Sequence, residues 1–472
     1  MHDYGNVLGM SPEEKDRKIE RLEQENQALR ERIAELERYL GLNSETSSKP
    51  PSSDGLKKKS KNRTKSLREK GLRPSGGQLG HQGQTLEQVL QPDTIIEHTT
   101  PCLCHGCGCD VSQISVERII KRQVFDIPAP QIIVTEHQVG VKQCPQCQST
   151  IQGRFPESVK APVQYGVRIK AVATYLHHQH FIPEDRLSEV FQDIFGCKIT
   201  PGTIANTTKL LAQIIEPVVT KIEKSVKESP VKHLDETGFR IGGKTQWLHV
   251  VSTEQLSWYR VSNKRKDIEI LSELKGTVVH DHWKPYYQLN SVNHALCNAH
   301  HLRELTALEE IELESWAKSM KKLLLLACHY KNRYQSGIPE NIVARLNQLY
   351  EQILKRGLDF HQLQPPLARK GNRGRQKRRV GHNLLVRFQN FKIDVLRFLT
   401  DTNVPFTNNQ AERDLRMMKC KQKISGGFRS FSNAVSFANI RSFLSTASKQ
   451  GFNLLSVLID ALQGNISIFF AS

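Results

Sequence analysis

Apolar residues recur in sevens over residues 17–42. Ile19, Leu22, Asn26, Leu29, Ile33, Leu36 and Leu40 fall alternately on the a and d positions of a heptad without a slip, the pattern of a helix that pairs along a narrow seam. Asn26 at an a position favours a two-stranded parallel pairing in one register. In that register Lys18 faces Glu23 of a second copy, Glu25 faces Arg30 and Arg32 faces Glu37, and every pair is complementary. A homodimer through residues 17–42 is expected. A lone amphipathic helix lying on its own chain would carry a similar stripe.

Beyond the polar, proline-bearing tract NSETSSKPPSSD (43–54), periodicity returns as short β-branched alternations at 118–143 and then as helical spacing at 165–228. Within the latter, EDRLSEVFQDIF (184–195), GCKIT (196–200) and PGTIANTTKLLAQII (201–215) read as helix, turn and helix, with Gly196 suited to a C-cap and Pro201 to a first turn. A DNA-reading helix-turn-helix and an ordinary helical hairpin share this pattern. From residue 231 the period becomes two. VKHLDETGFRI, TQWLHVVS (245–252) and LSWYRVS (256–262) read as strands, KDIEILSEL (266–274) as a short helix, and GTVVH (276–280) as a fourth strand ending at Asp281. This is the opening order of a ribonuclease H-like sheet, in which the first and fourth strands are neighbours. Residues 291–400 then read as helices. TNNQAERDLRMMKCKQKI (407–424) reads as one more, capped by Asn408 or Asn409, with Ala411, Leu415 and Met418 on the buried stripe and Glu412 beside it.

Charge narrows the function classes. The 472 residues carry 67 Lys and Arg against 48 Asp and Glu, a formal net charge of +19, which points to a polyanionic partner. No apolar run approaches the roughly 20 residues that span a bilayer, and MHDYGNVLGMSPEEKDRK lacks the apolar core of a signal peptide. An intracellular, cytoplasmic protein that meets DNA in the nucleoid, with no membrane partner, is expected. The run LKKKSKNRTKSLREKGLR (56–73) holds nine basic residues, Lys57, Lys58, Lys59 and Arg63 among them, against Glu69 alone. It suits a sequence-blind phosphate-contacting arm, although a solvated tail has the same composition. RKGNRGRQKRR (369–379), with Arg373, Arg375 and Arg378, is a second such stretch, and Arg413 and Arg416 are spaced along the Glu412 helix. The glycine-rich GGQLGHQG (76–83) lacks the lysine of a phosphate-binding loop.

Six of the ten cysteines cluster at Cys102, Cys104, Cys107, Cys109, Cys144 and Cys147. Cys104–Cys107 and Cys144–Cys147 are two C-x2-C knuckles, the spacing of a zinc ribbon that holds one structural Zn2+ by four thiolates. Cys102, Cys109 and His105 are spare donors, so the first knuckle is the less secure of the two.

Asp235 on the first strand, Asp281 at the end of the fourth and Glu412 at a helix start form the candidate catalytic set. Phosphodiester cleavage needs an activated oxygen nucleophile and neutralised charge, which two Mg2+ (or Mn2+) ions held by carboxylates supply. Glu236, Asp267 and Asp414 are lookalikes distinguished only by position. HLDETGFRI, VVHDHWKPYY, CNAHHLREL and VPFTNNQAERDLRMMKCKQKISGGFRS resemble the core motifs of bacterial DDE transposases of the insertion-sequence-sixty-six family, and SSKPPSSD, GGQLGHQG and the zinc ribbon extend the resemblance over nearly the whole chain. The resemblance implies that Asp235, Asp281 and Glu412 bind the metals, that the core is ribonuclease H-like, and that the activity is cleavage and joining of DNA at transposon ends and target. It also implies that Cys297 and His300 of the C-x2-H segment shape the site, and it leaves room for accessory proteins of the same element.

The expected architecture is multidomain α+β. Residues 1–55 are the coiled-coil segment and linker, 56–92 a basic glycine-rich linker, 93–152 the zinc ribbon and 153–228 a helical DNA-binding region. Residues 229–290 and 401–450 are the two parts of the catalytic core, split by an all-α insertion at 291–400, and 451–472 are a C-terminal helix and tail. A DNA-binding regulator, an inactive copy, or a ribonuclease H-like nuclease without strand transfer are the competing functions.

Overall fold

The structure, a computed structural model, describes residues 11–41, 86–367 and 376–466. The tract 43–54, the arm with Lys57, Lys58, Lys59 and Arg63, the segment 76–83, and Arg373 and Arg375 lie outside the described residues. The chain divides into two compact units, residues 60–134 with 194–196 and the remainder.

In the smaller unit, one bridge pairs Leu103 with Asp110 across the first cysteine knuckle. The Gln123 side chain exchanges two hydrogen bonds with the Val89 backbone. The strands expected over 118–143 are corrected by the structure. Only Val141–Gln143, at the end of that stretch, forms a strand. Ile119, Ile120, Val124 and Ile127 stay exposed, so alternation has no apolar face to cover, and Pro128 and Pro130 cannot donate to a ladder.

In the larger unit, α1 (Pro12–Gly41) starts with a capping box: Glu14 N–H donates to the Ser11 hydroxyl and Ser11 N–H to the Glu14 carboxylate. Its seam residues Ile19, Leu22, Leu29, Ile33 and Leu36 are 44–61% exposed, so the other described residues leave that stripe open. β1 (Val141–Gln143) and β2 (Thr150–Gln152) form an antiparallel pair around the second knuckle. α2 (Val167–Thr174) runs on into a π-helical turn, followed by α3 (Glu184–Phe195), α4 (Pro201–Ile214) and α5 (Glu216–Glu228). The helix, turn and helix read at 184–215 are present. Gly196 turns the chain with φ 63° and the Thr200 hydroxyl caps α4 by accepting from Thr203 N–H.

The core is a five-stranded mixed sheet of β3 (Val231–Ile241), β4 (Lys244–Ser252), β5 (Ser257–Ser262), β6 (Thr277–His280) and β7 (Asn293–Leu296), in the order β5-β4-β3-β6-β7. β3, β4 and β5 form an antiparallel meander, and β6 and β7 run parallel to β3. The first and fourth strands of the sheet are therefore neighbours. The crossover between β5 and β6 is a single 3-10 turn, Glu269–Leu271, rather than the expected helix over 266–274. Leu271 and Leu274 are buried in the core there.

After the sheet come α6 (Asn298–Glu310), α7 (Ser315–Arg333), α8 (Glu340–Gln362), α9 (Val380–Asn390) and α10 (Lys392–Thr400), then α11 (Asn409–Ser425), α12 (Phe431–Lys449) and α13 (Leu454–Leu462). Alternation along the strands gives the sheet two apolar faces. Leu234, Val251, Trp258 and Val278 pack with α5, α12 and α13, while Phe239, Leu248, Val250 and Tyr259 pack with Ala411, Leu415 and Met418 of α11 and with Phe437 of α12. The outer edge of β5 is closed by α12, whose Ser442 and Thr446 hydroxyls accept from Tyr259 and Ser257 N–H, so this edge is protected from pairing with another strand.

Candidate active site

The register of β3 with β6 runs from Val231 opposite Thr277 to His233 opposite Val279. Carried two residues further, it sets Asp235 level with Asp281, just past the end of β6. Asp235 shares the β3 face of His233 and Phe239, the face covered by α11. Glu412 lies in the first turn of α11. α11 is docked by Asn408 at its start. The Asn408 amide donates to Leu234 O at 2.7 Å, its Oδ1 pairs with His233 Nδ1 at 2.8 Å, and its N–H donates to the Cys297 sulfur at 3.1 Å. The side chain therefore does not cap the helix, contrary to expectation. Turned inward and buried, it binds the strand that carries Asp235.

Desolvation, then the neighbouring charges of Glu236 and Asp281, hold the Asp235 carboxyl well above the usual carboxylate range, and Glu412 adds to this. Asp281 is raised to about 6 by desolvation, then by Glu236, with a further contribution from Glu412. The three candidates are thus electrostatic neighbours of one another, and each is half-buried. Their hydrogen bonds are sparse. Asp235 accepts from Glu236 N–H and Asp281 from Trp283 N–H, whereas Glu412 Oε1 is out of water with no partner. Among the described residues no Lys or Arg forms an ion pair with any of them.

The lookalike acids are different. Glu236 accepts two hydrogen bonds from the Arg265 guanidinium, at 2.9 and 2.7 Å, and one from the Tyr286 hydroxyl at 2.6 Å. Asp414 is paired with Lys449 at 2.6 Å and accepts from Ser252 and Ser257. Asp267 accepts from Ser262 at 2.6 Å. Glu236 and Asp414 are compensated by cations from within the fold, whereas Asp267 takes a single hydroxyl. Sequence reasoning missed the Arg265–Glu236–Tyr286 and Lys449–Asp414 partnerships, which join residues 29 to 50 positions apart, and 35 positions apart, with no local pattern to mark them.

Cys297 is buried at the junction of β7 and α6, and its thiol is pushed up to about 12 by desolvation and then by Glu412. His300 Nδ1 lies 3.9 Å from Glu412 Oε1, and desolvation followed by the Arg303 and Arg387 charges lowers this imidazole to about 4, so it is neutral. Beside Asp281 and His300 opens a cleft of about 860 Å3, lined also by Tyr287, Arg387 and Phe391. Arg413 and Arg416 project into solvent along α11, and Arg378 is exposed before α9.

The two cysteine knuckles share one local geometry. Cys104 N–H donates to Cys109 O and Gly108 N–H to Cys104 O; Cys144 N–H donates to Ser149 O and Gln148 N–H to Cys144 O, all at 2.9 Å. Gly108 and Gln148 both have positive φ, 72° and 60°. In this correspondence Cys109 takes the place of Ser149, and Cys102 precedes the turn. The Cys104 thiol is lowered by the backbone N–H groups of Cys107 and Gly106, and that of Cys147 to about 7, chiefly by the Ser149 hydroxyl.

No curated protein matches the chain. A family of unknown function (DUF6444) matches residues 7–87. The family described as Transposase IS66 family matches residues 162–436, a span holding the whole five-stranded sheet together with Asp235, Asp281, Glu412 and the helices between them. With more than half of its length matched, the chain belongs to the IS66 family of transposases.

Proposed function

We propose that this transposase cleaves DNA at the ends of an insertion sequence and joins the freed ends to target DNA, using Asp235, Asp281 and Glu412 to hold divalent metal ions. The observation that carries the reading is the contrast among acids. Asp235 and Asp281 lie level on neighbouring parallel strands with Glu412 acting electrostatically on both, and among the described residues none of the three forms an ion pair with Lys or Arg, while Glu236 and Asp414 are paired with Arg265 and Lys449. The raised proton affinity of Asp235 and Asp281 is the mark of charges held unfavourably unless a cation joins them. The strand order supports a ribonuclease H-like reading of the core, split by the helices between residues 298 and 400.

Two bound Mg2+ or Mn2+ ions would supply the charge neutralisation that phosphoryl transfer needs. Asp235 and Asp281 offer oxygens from adjacent parallel strands, and Glu412 offers the third from α11. Asn408 fixes the approach of that helix to β3. Arg413 and Arg416 suit phosphates flanking the cut, and Arg378 with the basic stretch around it suits longer contacts. Each knuckle, Cys104–Cys107 and Cys144–Cys147, has the spacing of half a structural Zn2+ site, and the local turn geometry favours Cys104 and Cys107 over Cys102 and Cys109. The exposed seam of α1 would pair two copies and so two transposon ends.

The test is incubation of purified protein with DNA carrying both ends that flank its gene, in Mg2+ or Mn2+, beside Glu412→Ala. Cleaved and joined products, lost in the variant, are expected. Cleavage without joined products would leave a nuclease, and binding without cleavage, unchanged by Glu412→Ala, would leave a DNA-binding regulator or an inactive copy.

A further inference from the structure

The ligand atoms of Cys297, His300 and Glu412 all lie within 4.8 Å of one another. Donors around one tetrahedral zinc-class ion sit about 3.3–3.8 Å apart, as bond lengths of about 2.0–2.3 Å require, so small side-chain rotations would bring the three into one coordination shell. Two of these atoms, His300 Nδ1 and Glu412 Oε1, are out of water and have no hydrogen-bond partner. They face each other across 3.9 Å, too long for a hydrogen bond. A neutral imidazole can donate from only one nitrogen, and a cation between the pair satisfies both. The third donor is also arranged as a ligand: the Cys297 sulfur accepts the Asn408 N–H at 3.1 Å, and the chain from Cys297 to His300 makes a turn closed by His300 N–H on Cys297 O.

We propose that Cys297, His300 and Glu412 bind a divalent cation of the zinc class through one sulfur, one nitrogen and one oxygen. Mg2+ seeks oxygen donors, whereas thiolate and imidazole select softer ions. Three protein donors leave a fourth position for water or a phosphate oxygen. The site shares Glu412 with the catalytic reading above, on which it rests: Oε1 serves the softer ion, which leaves Oε2 for the oxygen-seeking ions at Asp235 and Asp281. The bound ion would also tie the start of α11 to the start of α6.

Full-length wild type, Cys297→Ser, His300→Asn and Glu412→Gln are loaded with Zn2+, desalted and compared by elemental analysis. Zinc in the cysteine knuckles is common to all four and cancels. The wild type is expected to carry about one zinc per chain more than each variant. Co2+ exchanged into this position should give a thiolate-to-cobalt absorption band that Cys297→Ser lacks. Should Cys297→Ser fail to fold, His300→Asn and Glu412→Gln still report the loss. Equal zinc content in the wild type and every folded variant overturns the proposal. Cleavage of end-bearing DNA in Mg2+, lost in Asp235→Asn, is read separately. If it persists while the zinc counts are equal, only the soft-donor site falls. If the extra zinc is found without cleavage, only the catalytic reading falls.

Discussion

Asp281 and Asp414 show how one residue type takes opposite roles in one fold. Asp281 has its proton affinity raised to about 6, by desolvation and then by Glu236. The folded carboxyl therefore binds a proton more tightly than the unfolded one, whose pKa is about 4. Its contribution to stability is fully present below about pH 4 and is lost as pH rises through about 6. In magnesium-free buffer at pH 7.5, Asp281→Asn should thus stabilise the protein by on the order of 2 kcal/mol in chemical denaturation, while ending metal-dependent cleavage. The same protonation should weaken Mg2+ binding to the wild type below about pH 6, because proton and metal compete for one site; calorimetric titration across pH 5–8 reads this directly. Asp414 is the reverse case. Its partner Lys449 also donates to Thr253 O and Leu256 O, and both side chains of the pair are only 12% exposed. Lys449→Met would strand a carboxylate and two carbonyls, a loss of about 3 kcal/mol measurable as a lower denaturation midpoint.

At the scale of elements, the site depends on how strands and helices meet. Gly276 precedes β6 with φ +74°, and a Cβ there would come within 2.4 Å of Pro230 O. The same carbonyl accepts Thr277 N–H at 2.8 Å, the bond that begins the parallel register leading to Asp235 and Asp281. Gly276→Ala combines left-handed strain with a backbone clash, so a destabilisation of at least about 2 kcal/mol is expected. Reduced cleavage should accompany it even where the protein still folds, since the two aspartates would no longer be level. Asn408 joins α11 to β3, so its short polar side chain sets the depth of Glu412. For α1, 30 residues long and exposed along its seam, the proposed pairing predicts a dimer in sedimentation. Leu29→Asp should convert it to a monomer, and a wild type that sediments as a monomer at all concentrations would end the idea.

For the whole molecule, a formal charge of +19 makes DNA affinity a steep function of salt. Each phosphate contact contributes about 0.9 to the slope of log K against log salt concentration. Replacing Lys57, Lys58, Lys59 and Arg63 together by Gln should therefore lower the slope by about 3–4 without changing sequence preference, as measured by fluorescence anisotropy over a salt series. Among the described residues no helix is long and apolar enough to cross a membrane.

Much of the architecture was legible in the chain itself because local periodicity encodes it. The heptads became α1, the period-two run from residue 231 became β3, β4 and β5, and Gly196 and Pro201 bounded their helices. Short motifs with fixed spacing placed the candidate acids and the two cysteine knuckles, since such signals survive without tertiary context. The expected strands at 118–143 and the expected helix at 266–274 failed for the opposite reason: secondary structure there depends on what the segment packs against, and that information is not local. Which acids stay uncompensated was decided only by the tertiary structure. Arg265 pairs with Glu236 and Lys449 with Asp414, and among the described residues no Lys or Arg forms an ion pair with Asp235, Asp281 or Glu412. The convergence of Cys297, His300 and Glu412 was decided there too, because the cysteine and the glutamate are 115 positions apart and only the docking of α11 on the sheet brings them together.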